Sequence, residues 1–233
     1  MKKITLTLIA LFIYIFSIAE ENPNQDKIDA AFMQSFATQS DQIEPIIAEL
    51  RQNENENAYW IAYGQFYSAI YYMHTGKKDQ ARKSTDAAIE LLEKIEKKNS
   101  EEHALLGYIL GFSVSLDPSS AARISAKAAS QYKAALKKDE NNLRAYLGMG
   151  ESDYYKPAEY GGGEKVEEYL LKAISLPDQS VENGPSWGKN SAYYTLASFY
   201  KREDEIDKAK MYCMKGLNEF PQDYQLNQLK QSF

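Results

Sequence analysis

The chain is poor in the residues that build disulfide frameworks and metal centres. Its 233 residues include one cysteine, Cys213, so no disulfide can form within the chain. The two histidines, His74 and His103, have no acidic or cysteine neighbour at ligand spacing. We therefore expect no metal and no cofactor, and we expect Cys213 to pack as a small buried hydrophobe on a helix.

Flexible tracts and clustered basic charge are also scarce. The chain has 12 glycines and 7 prolines, which argues against long disordered segments outside its ends. It has 27 basic and 33 acidic residues, for a net charge of −6. Because nucleic-acid binding needs clustered lysine and arginine, nucleic acid is not an expected partner. Tyrosine, by contrast, is abundant with 18 residues, and it suits helix packing and binding grooves alike.

No apolar run reaches the length of a membrane span. The longest, Ile4 to Ile18, is short of the roughly 20 residues that a transmembrane helix needs. Two lysines precede it, and small residues end it at Ala19. We interpret residues 1–19 as a signal peptide cleaved after Ala19, which predicts export to the periplasm or cell envelope with no stable membrane span afterwards. An uncleaved membrane anchor is the alternative.

Large and small residues alternate at helical spacing near the C-terminus, on two successive predicted helices closed by a proline: Tyr193, Leu196-Ala197 and Tyr200, then Ala209, Cys213 and Gly216-Leu217, then Pro221. This pattern is typical of two helices that pack closely and repeat. The second small residue of the second helix recurs upstream at irregular spacing, at Ala88, Ala135, Ala173 and Gly216. Flanking segments lack the pattern: residues 20–55 are predicted to form N-terminal capping helices, and residues 223–233 a C-terminal capping helix.

Residues 56–222 resemble the tetratricopeptide repeat, a helix–turn–helix unit of about 34 residues. The resemblance is best in the last unit and drifts upstream. It implies an all-α fold, a right-handed α–α superhelix of about four helix pairs with capping helices. Since the spacings approach those of HEAT-type repeats, another α–α solenoid is the alternative. Gly107 and Gly111, four residues apart, are expected to allow close packing of neighbouring helices.

In tetratricopeptide arrays the first helices of successive units line a concave groove. The resemblance therefore implies a partner-binding groove at Phe66, Ile70, Met73, Leu147, Glu151, Tyr154, Tyr155, Trp187, Tyr194, Ser198 and Lys201. Two alternatives concern the aromatics. Tyr154 and Tyr155 could pack on Pro157 and the glycines after it, and Trp187, in the predicted loop 178–188, could anchor that loop over a helix end.

The segment from Tyr160 to Lys165 contains three consecutive glycines and superficially suggests a phosphate loop. No predicted strand precedes it, and no serine or threonine follows Lys165, so a nucleotide is not an expected partner. A turn between paired helices explains the glycines. A clamp for C-terminal carboxylates is not supported either, because Leu147 and Tyr194 stand where a groove lysine would be expected.

These observations favour a non-enzymatic scaffold that binds a protein or peptide through a tyrosine-rich concave surface. Acidic character would favour basic partners. Two other classes stay open: a small-ligand or glycan-binding protein that uses an aromatic pocket in the same groove, and an enzyme with scattered catalytic residues. We expect specific function where the chain departs from the repeat pattern, which is at Pro157–Gly163, at 178–188 and near Trp60.

Overall fold

A computed structural model describes residues 22–178 and 184–233, so the predicted signal peptide lies outside the described residues. Within these ranges the chain is helical, without strands, and none of the helices is long and apolar enough to cross a bilayer. The helices are α1 (Pro23–Thr38), α2 (Glu44–Leu50), α3 (Glu54–His74), α4 (Lys78–Lys94), α5 (Ser100–Ser113), α6 (Ala121–Lys138), α7 (Leu143–Tyr155), α8 (Val166–Ser175), α9 (Lys189–Arg202), α10 (Ile206–Glu219) and α11 (Tyr224–Gln231).

Helices α3 to α10 form four consecutive pairs, and in each pair the two helices pack along their length. The first helices of neighbouring pairs also touch one another: α3 contacts α5, α5 contacts α7, and α7 contacts α9. At one end α1 and α2 pack against α3, and at the other α11 packs against α9 and α10. The predicted all-α solenoid of about four helix pairs is confirmed.

Helices α1, α5, α7 and α11 begin at a residue whose side chain accepts a hydrogen bond from a free backbone N–H group. At α5 the Asn99 side chain accepts from the Glu102 N–H at 2.9 Å, and the Glu102 carboxylate accepts from the Asn99 N–H at 2.7 Å. Asn142 caps α7 and Asp223 caps α11 in the same way, each through a 2.8 Å bond. Such caps stabilise a helix by about 1 kcal/mol each, and they fix where the second and third pairs start.

The second helices present small residues to the first helices, as the repeat pattern predicts. The two small positions and the larger residue between them are buried in every pair: Ala81, Thr85 and Ala88; Ala128, Tyr132 and Ala135; Val166, Leu170 and Ala173; Ala209, Cys213 and Gly216. Small side chains let the helices approach closely, and the larger side chain then fills the space between pairs.

Tyr132 on α6 is the largest of these spacers, and two glycines make room for its ring. A Cβ atom at Gly107 would lie 2.6 Å from the ring, and one at Gly148 would lie 2.3 Å from it. Gly107 belongs to α5 and Gly148 to α7, so one buried tyrosine sets the approach of two successive first helices. Gly111 is different, since a Cβ there would meet the Tyr132 hydroxyl at an ordinary 3.5 Å.

Replacing Gly148 by alanine should therefore destabilise the fold, although alanine favours helices by up to about 1 kcal/mol. Overpacking of this kind costs about 1–3 kcal/mol, because the Tyr132 ring has no free direction in which to move. The free energy of unfolding from urea titration measures the effect. Gly111→Ala is the matched control and should be neutral or stabilising. A Tyr132→Leu background should remove most of the Gly148→Ala cost, and an undiminished cost there would contradict the assignment.

Candidate binding site on the inner face

The inner face is the side of the array formed by the first helices α3, α5, α7 and α9. Side chains from neighbouring first helices meet on it, because these helices lie next to one another. All eleven residues predicted to line a groove lie on these helices except Trp187, which lies in the segment before α9. The inner face falls into two parts, one covered by the chain and one open.

Trp187 covers the inner face at α3 and α5. Its Nε1 donates a hydrogen bond to the Tyr59 hydroxyl at 2.9 Å, and its ring centroid lies 5.2 Å from that of Tyr108 and 5.9 Å from that of Tyr63. The side chain is only 9% exposed. The hydrogen bond and the burial of the indole hold the segment before α9 against the first helices of two earlier pairs.

Arg144 on α7 also holds the segment that carries Trp187 in place. Its guanidinium lies 5.3 Å from the Trp187 ring, donates to the carbonyls of Asp178 (2.7 Å) and Pro185, and pairs with Glu101 at 3.2 Å. Burial raises the pKa of Glu101 above its usual range, although the charge of Arg144 acts in the opposite direction. Arg144 is 1% exposed, so its charge serves this internal contact and no partner can reach it.

Helix α1 covers the remaining aromatic surface of α3. Phe32 packs edge-on against Tyr67, with ring centroids 4.9 Å apart, and Asp29 accepts a 2.9 Å hydrogen bond from the Tyr63 hydroxyl. Burial raises the pKa of Asp29 to about 6. The Gln25 side chain of α1 accepts a 2.9 Å hydrogen bond from the backbone N–H of Ser186. This bond joins α1 to the segment that carries Trp187.

Glu151 on α7 marks the boundary between the covered and open parts. Its carboxyl group accepts hydrogen bonds from Tyr108 on α5 and from Thr195 on α9, the latter at 3.3 Å. The side chain is partly exposed, yet the carboxyl is packed closely enough that desolvation raises its pKa to about 7. No lysine, arginine or histidine of the described ranges forms a salt bridge with it.

Beyond Glu151 the inner face is open. Tyr155 follows one turn later on α7 and is 70% exposed, while Tyr194 and Ser198 on α9 are partly exposed. Partial desolvation of its hydroxyl and, to a lesser extent, the negative charge of Glu151 raise the pKa of Tyr155 to about 12. Lys201, one turn after Ser198, donates to the backbone carbonyl and the hydroxyl of Ser232, so the residues after α11 border this area.

A cleft of about 650 Å³ adjoins the open part, between the ends of α7 and α9 and the turn after α7. Tyr154 and Tyr155 line it, and the Arg202 guanidinium stacks 4.4 Å from the Tyr154 ring. A Cβ at Gly162 would lie 1.9 Å from the Lys156 carbonyl oxygen, so only glycine fits this turn. The glycines thus shape the cleft wall through a tight turn.

Among the predicted groove residues, Phe66, Leu147 and Trp187 are buried within the chain. Phe66 packs against Tyr108 and Phe112 of α5, with centroids 5.7 and 5.3 Å away. The others keep exposed surface, and those around the open part are Glu151, Tyr154, Tyr155, Tyr194, Ser198 and Lys201. Ile70 and Met73 lie on α3, away from them. The sequence did not predict that Tyr108, Arg144 and Thr195 contribute to the inner face. The helical spacing of Arg144, Leu147 and Glu151 on α7 was the one available signal for Arg144.

Comparisons with known proteins place the fold. No family model matches the chain, and no curated protein matches it in sequence. It is similar to the HusA haemophore from Porphyromonas gingivalis, with 19% identity and a TM-score of 0.56 over 76% of this chain and 94% of that one. It is also similar to a thermophilic TPR protein from Thermus thermophilus, with 18% identity and a TM-score of 0.56 over 90% of this chain and 97% of that one. The chain has a tetratricopeptide-like fold. At these identities the likeness extends to the fold alone.

Replacing Glu151 by glutamine should stabilise the protein at about pH 8 and have little effect at about pH 4. The folded pKa of about 7 exceeds the ordinary value of 4.5, so the native state holds the proton more tightly and loses stability as pH rises between these values. Glutamine stays neutral and can still accept from Tyr108 and Thr195. The expected gain above pH 7 is on the order of 1–3 kcal/mol, measured by urea unfolding at both pH values.

Glu168→Gln, at an exposed position on α8, is the matched control and should change stability little at either pH. A gain from Glu151→Gln that is the same at both pH values would show that the carboxyl does not titrate as described.

Proposed function

We propose that this protein is a non-enzymatic scaffold that binds a protein or peptide on the open part of its inner face. The observation that carries the proposal is the division of that face. Trp187 and α1 cover α3 and part of α5, whereas the surface around Glu151, Tyr155 and Tyr194 is left uncovered by the described chain. A helical-repeat scaffold offers such a surface because each pair buries its apolar stripe against its neighbours.

The chemistry of the open part suits a peptide. Tyr155 and Tyr194 offer large, rigid contact areas with polar tips, and Ser198 and Glu151 supply hydrogen-bonding groups beside them. The cleft at Tyr154 extends the surface past the helix ends, so an extended segment several residues long can be accommodated. This supports binding of a chain segment over binding of a single small group.

We also propose that the protein acts outside the cytoplasm, in the periplasm or at the cell envelope. The support is the sequence of residues 1–19, with its two lysines, its apolar run and its small residues at the end. A single buried cysteine is compatible with an oxidising compartment, since it has no partner cysteine with which to form a disulfide in the chain.

A photo-crosslinking residue at Ser198 should capture a defined partner in the native cells, because Ser198 faces the open part. The same residue at Met211, which is 42% exposed on α10, is the matched control and should give no equivalent adduct. Tyr194→Ala should lower the Ser198 yield severalfold at a temperature where the variant is still folded, as its thermal melting curve shows. Mass spectrometry of the adducts provides the measurement, and the same adducts at Ser198 and Met211 would argue against the inner face.

A second candidate is a small planar ligand in the cleft, by analogy with the similar structure named a haemophore. The specific support is the cleft volume of about 650 Å³ and its wall, where Arg202 stacks on Tyr154 beside the exposed Tyr155. Aromatic faces on a cleft wall suit a flat ligand.

Haemin titration tests this candidate. If the cleft binds it, the absorbance of haemin should saturate at one equivalent, and Tyr154→Ala should weaken binding at least tenfold. Tyr224→Ala, on α11 and 71% exposed, is the matched control and should bind normally. Non-saturating absorbance changes shared by all three proteins would rule out a specific site.

A further inference from the structure

Within the described ranges, the carboxyl group of Glu151 has hydroxyl partners but no cation. It stands where three first helices meet, with Tyr108 of α5 and Thr195 of α9 donating to it. The two basic side chains at the end of α9 are engaged elsewhere: Arg202 donates to the Tyr154 carbonyl at 2.7 Å, and Lys201 donates to Ser232 at the chain end. A partly buried carboxylate without a counter-charge is costly, so its position on an open surface requires an explanation.

Tyrosines surround this carboxyl on the open side. Tyr155 lies one turn after Glu151 on α7, and Tyr194 is the residue before Thr195 on α9. The rings of Tyr154 and Tyr155 lie 4.9 Å apart, and both Tyr154 and Tyr194 are close enough to Tyr155 to add to the rise in its pKa. The faces of such rings attract cations electrostatically, and the attraction grows where water is partly excluded.

We propose that Glu151, Tyr155 and Tyr194 form a recognition site for an alkylammonium group, that of a lysine side chain in a basic peptide segment. The inference rests on the proposed peptide-binding function and names the chemistry of its partner. The net charge of the chain, −6, favours the approach of basic segments.

The hydrogen bonds already made by Glu151 favour ammonium over guanidinium. Two hydroxyl donors occupy lone pairs of the carboxylate, one of them on Oε1. A guanidinium binds best across both oxygens in a bidentate fork, whereas an ammonium needs one free lone pair and then contacts ring faces. Arginine should therefore bind less well than lysine at this position.

Binding of a cation here is linked to ionisation of the carboxyl. The other titratable groups that interact with it in the described chain are phenols: Tyr108 of α5, Tyr132 of α6 and Tyr155 of α7. Lysine binding should therefore strengthen roughly tenfold from about pH 6 to about pH 8, as the proton leaves Glu151.

The test uses three synthetic peptides that differ at one position, acetyl-Gly-Ala-Lys-Ala-Gly-amide and its norleucine and arginine counterparts. Each is titrated into the isotopically labelled full chain, and the backbone amide resonances of Tyr155, Tyr194 and Thr195 are followed. The lysine peptide should saturate these shifts at millimolar concentration and bind at least fivefold more tightly than norleucine at about pH 8. The arginine peptide should fall between them.

Glu151→Gln should abolish both the preference for lysine and its pH dependence. A structural role of Glu151 alone would leave the lysine-to-norleucine ratio unchanged. Thr195→Val is a second variant that removes one donor from the carboxyl, and it should shift the pH dependence upward while retaining the preference. Equal binding of the lysine and norleucine peptides, or binding of neither at about 10 mM, overturns the proposal.

The outcomes separate this inference from the proposed function. If a partner is captured at Ser198 and its binding is unaffected by Glu151→Gln and by pH, the ammonium site is wrong and the scaffold function still holds. Glu151-dependent lysine binding without any inner-face partner overturns the scaffold function while supporting the site.

Discussion

The close approach of α5 and α7, set by one buried tyrosine, is the constraint on which the inner face depends. Tyr132 fits against both helices only because Gly107 and Gly148 have no Cβ. At this separation the Tyr108 hydroxyl of α5 reaches the Glu151 carboxyl of α7. A wider spacing would place water between these groups and return the carboxyl to ordinary solvation. Packing in the second helices therefore determines the chemistry of the opposite surface.

The division of the inner face follows from the end of the array. The first pair has no preceding repeat, so the aromatic surface of α3 would be exposed without a cover. Helix α1 and the segment around Trp187 bury it, and Arg144 holds that segment through two backbone carbonyls. This cover buries that half of the inner face and leaves the part at α7 and α9 open. The segment before α9 thus packs against the first helices of the first two pairs, although it belongs to the fourth.

Much of the fold could be predicted from the sequence, because the signals were local. Ala81 and Ala88, and again Ala128 and Ala135, lie seven positions apart on a second helix, and this spacing indicated the helix pairs although the distance between units varies. The sequence left Trp187 either in the groove or as an anchor of its loop, and the structure buries it. Its partner Tyr59, and the burial of Leu147, could not be predicted, since they depend on contacts over long stretches of chain. Helical register placed Glu151 beside Tyr155, but only the neighbouring helices α5 and α9 reveal that its carboxyl lacks a cation within the described chain.

The charges around them explain why Glu151 differs from Glu101, a carboxylate on the neighbouring helix α5. Glu101 faces Arg144 within the chain, and that charge offsets part of its desolvation. Among the described residues Glu151 has only neutral donors, so ionisation there opposes folding near neutral pH. A glutamine would keep the hydrogen bonds without this penalty. The penalty disappears when a cation arrives from outside, and an incomplete charge pair on an open, tyrosine-lined surface is what a site for a cationic partner requires.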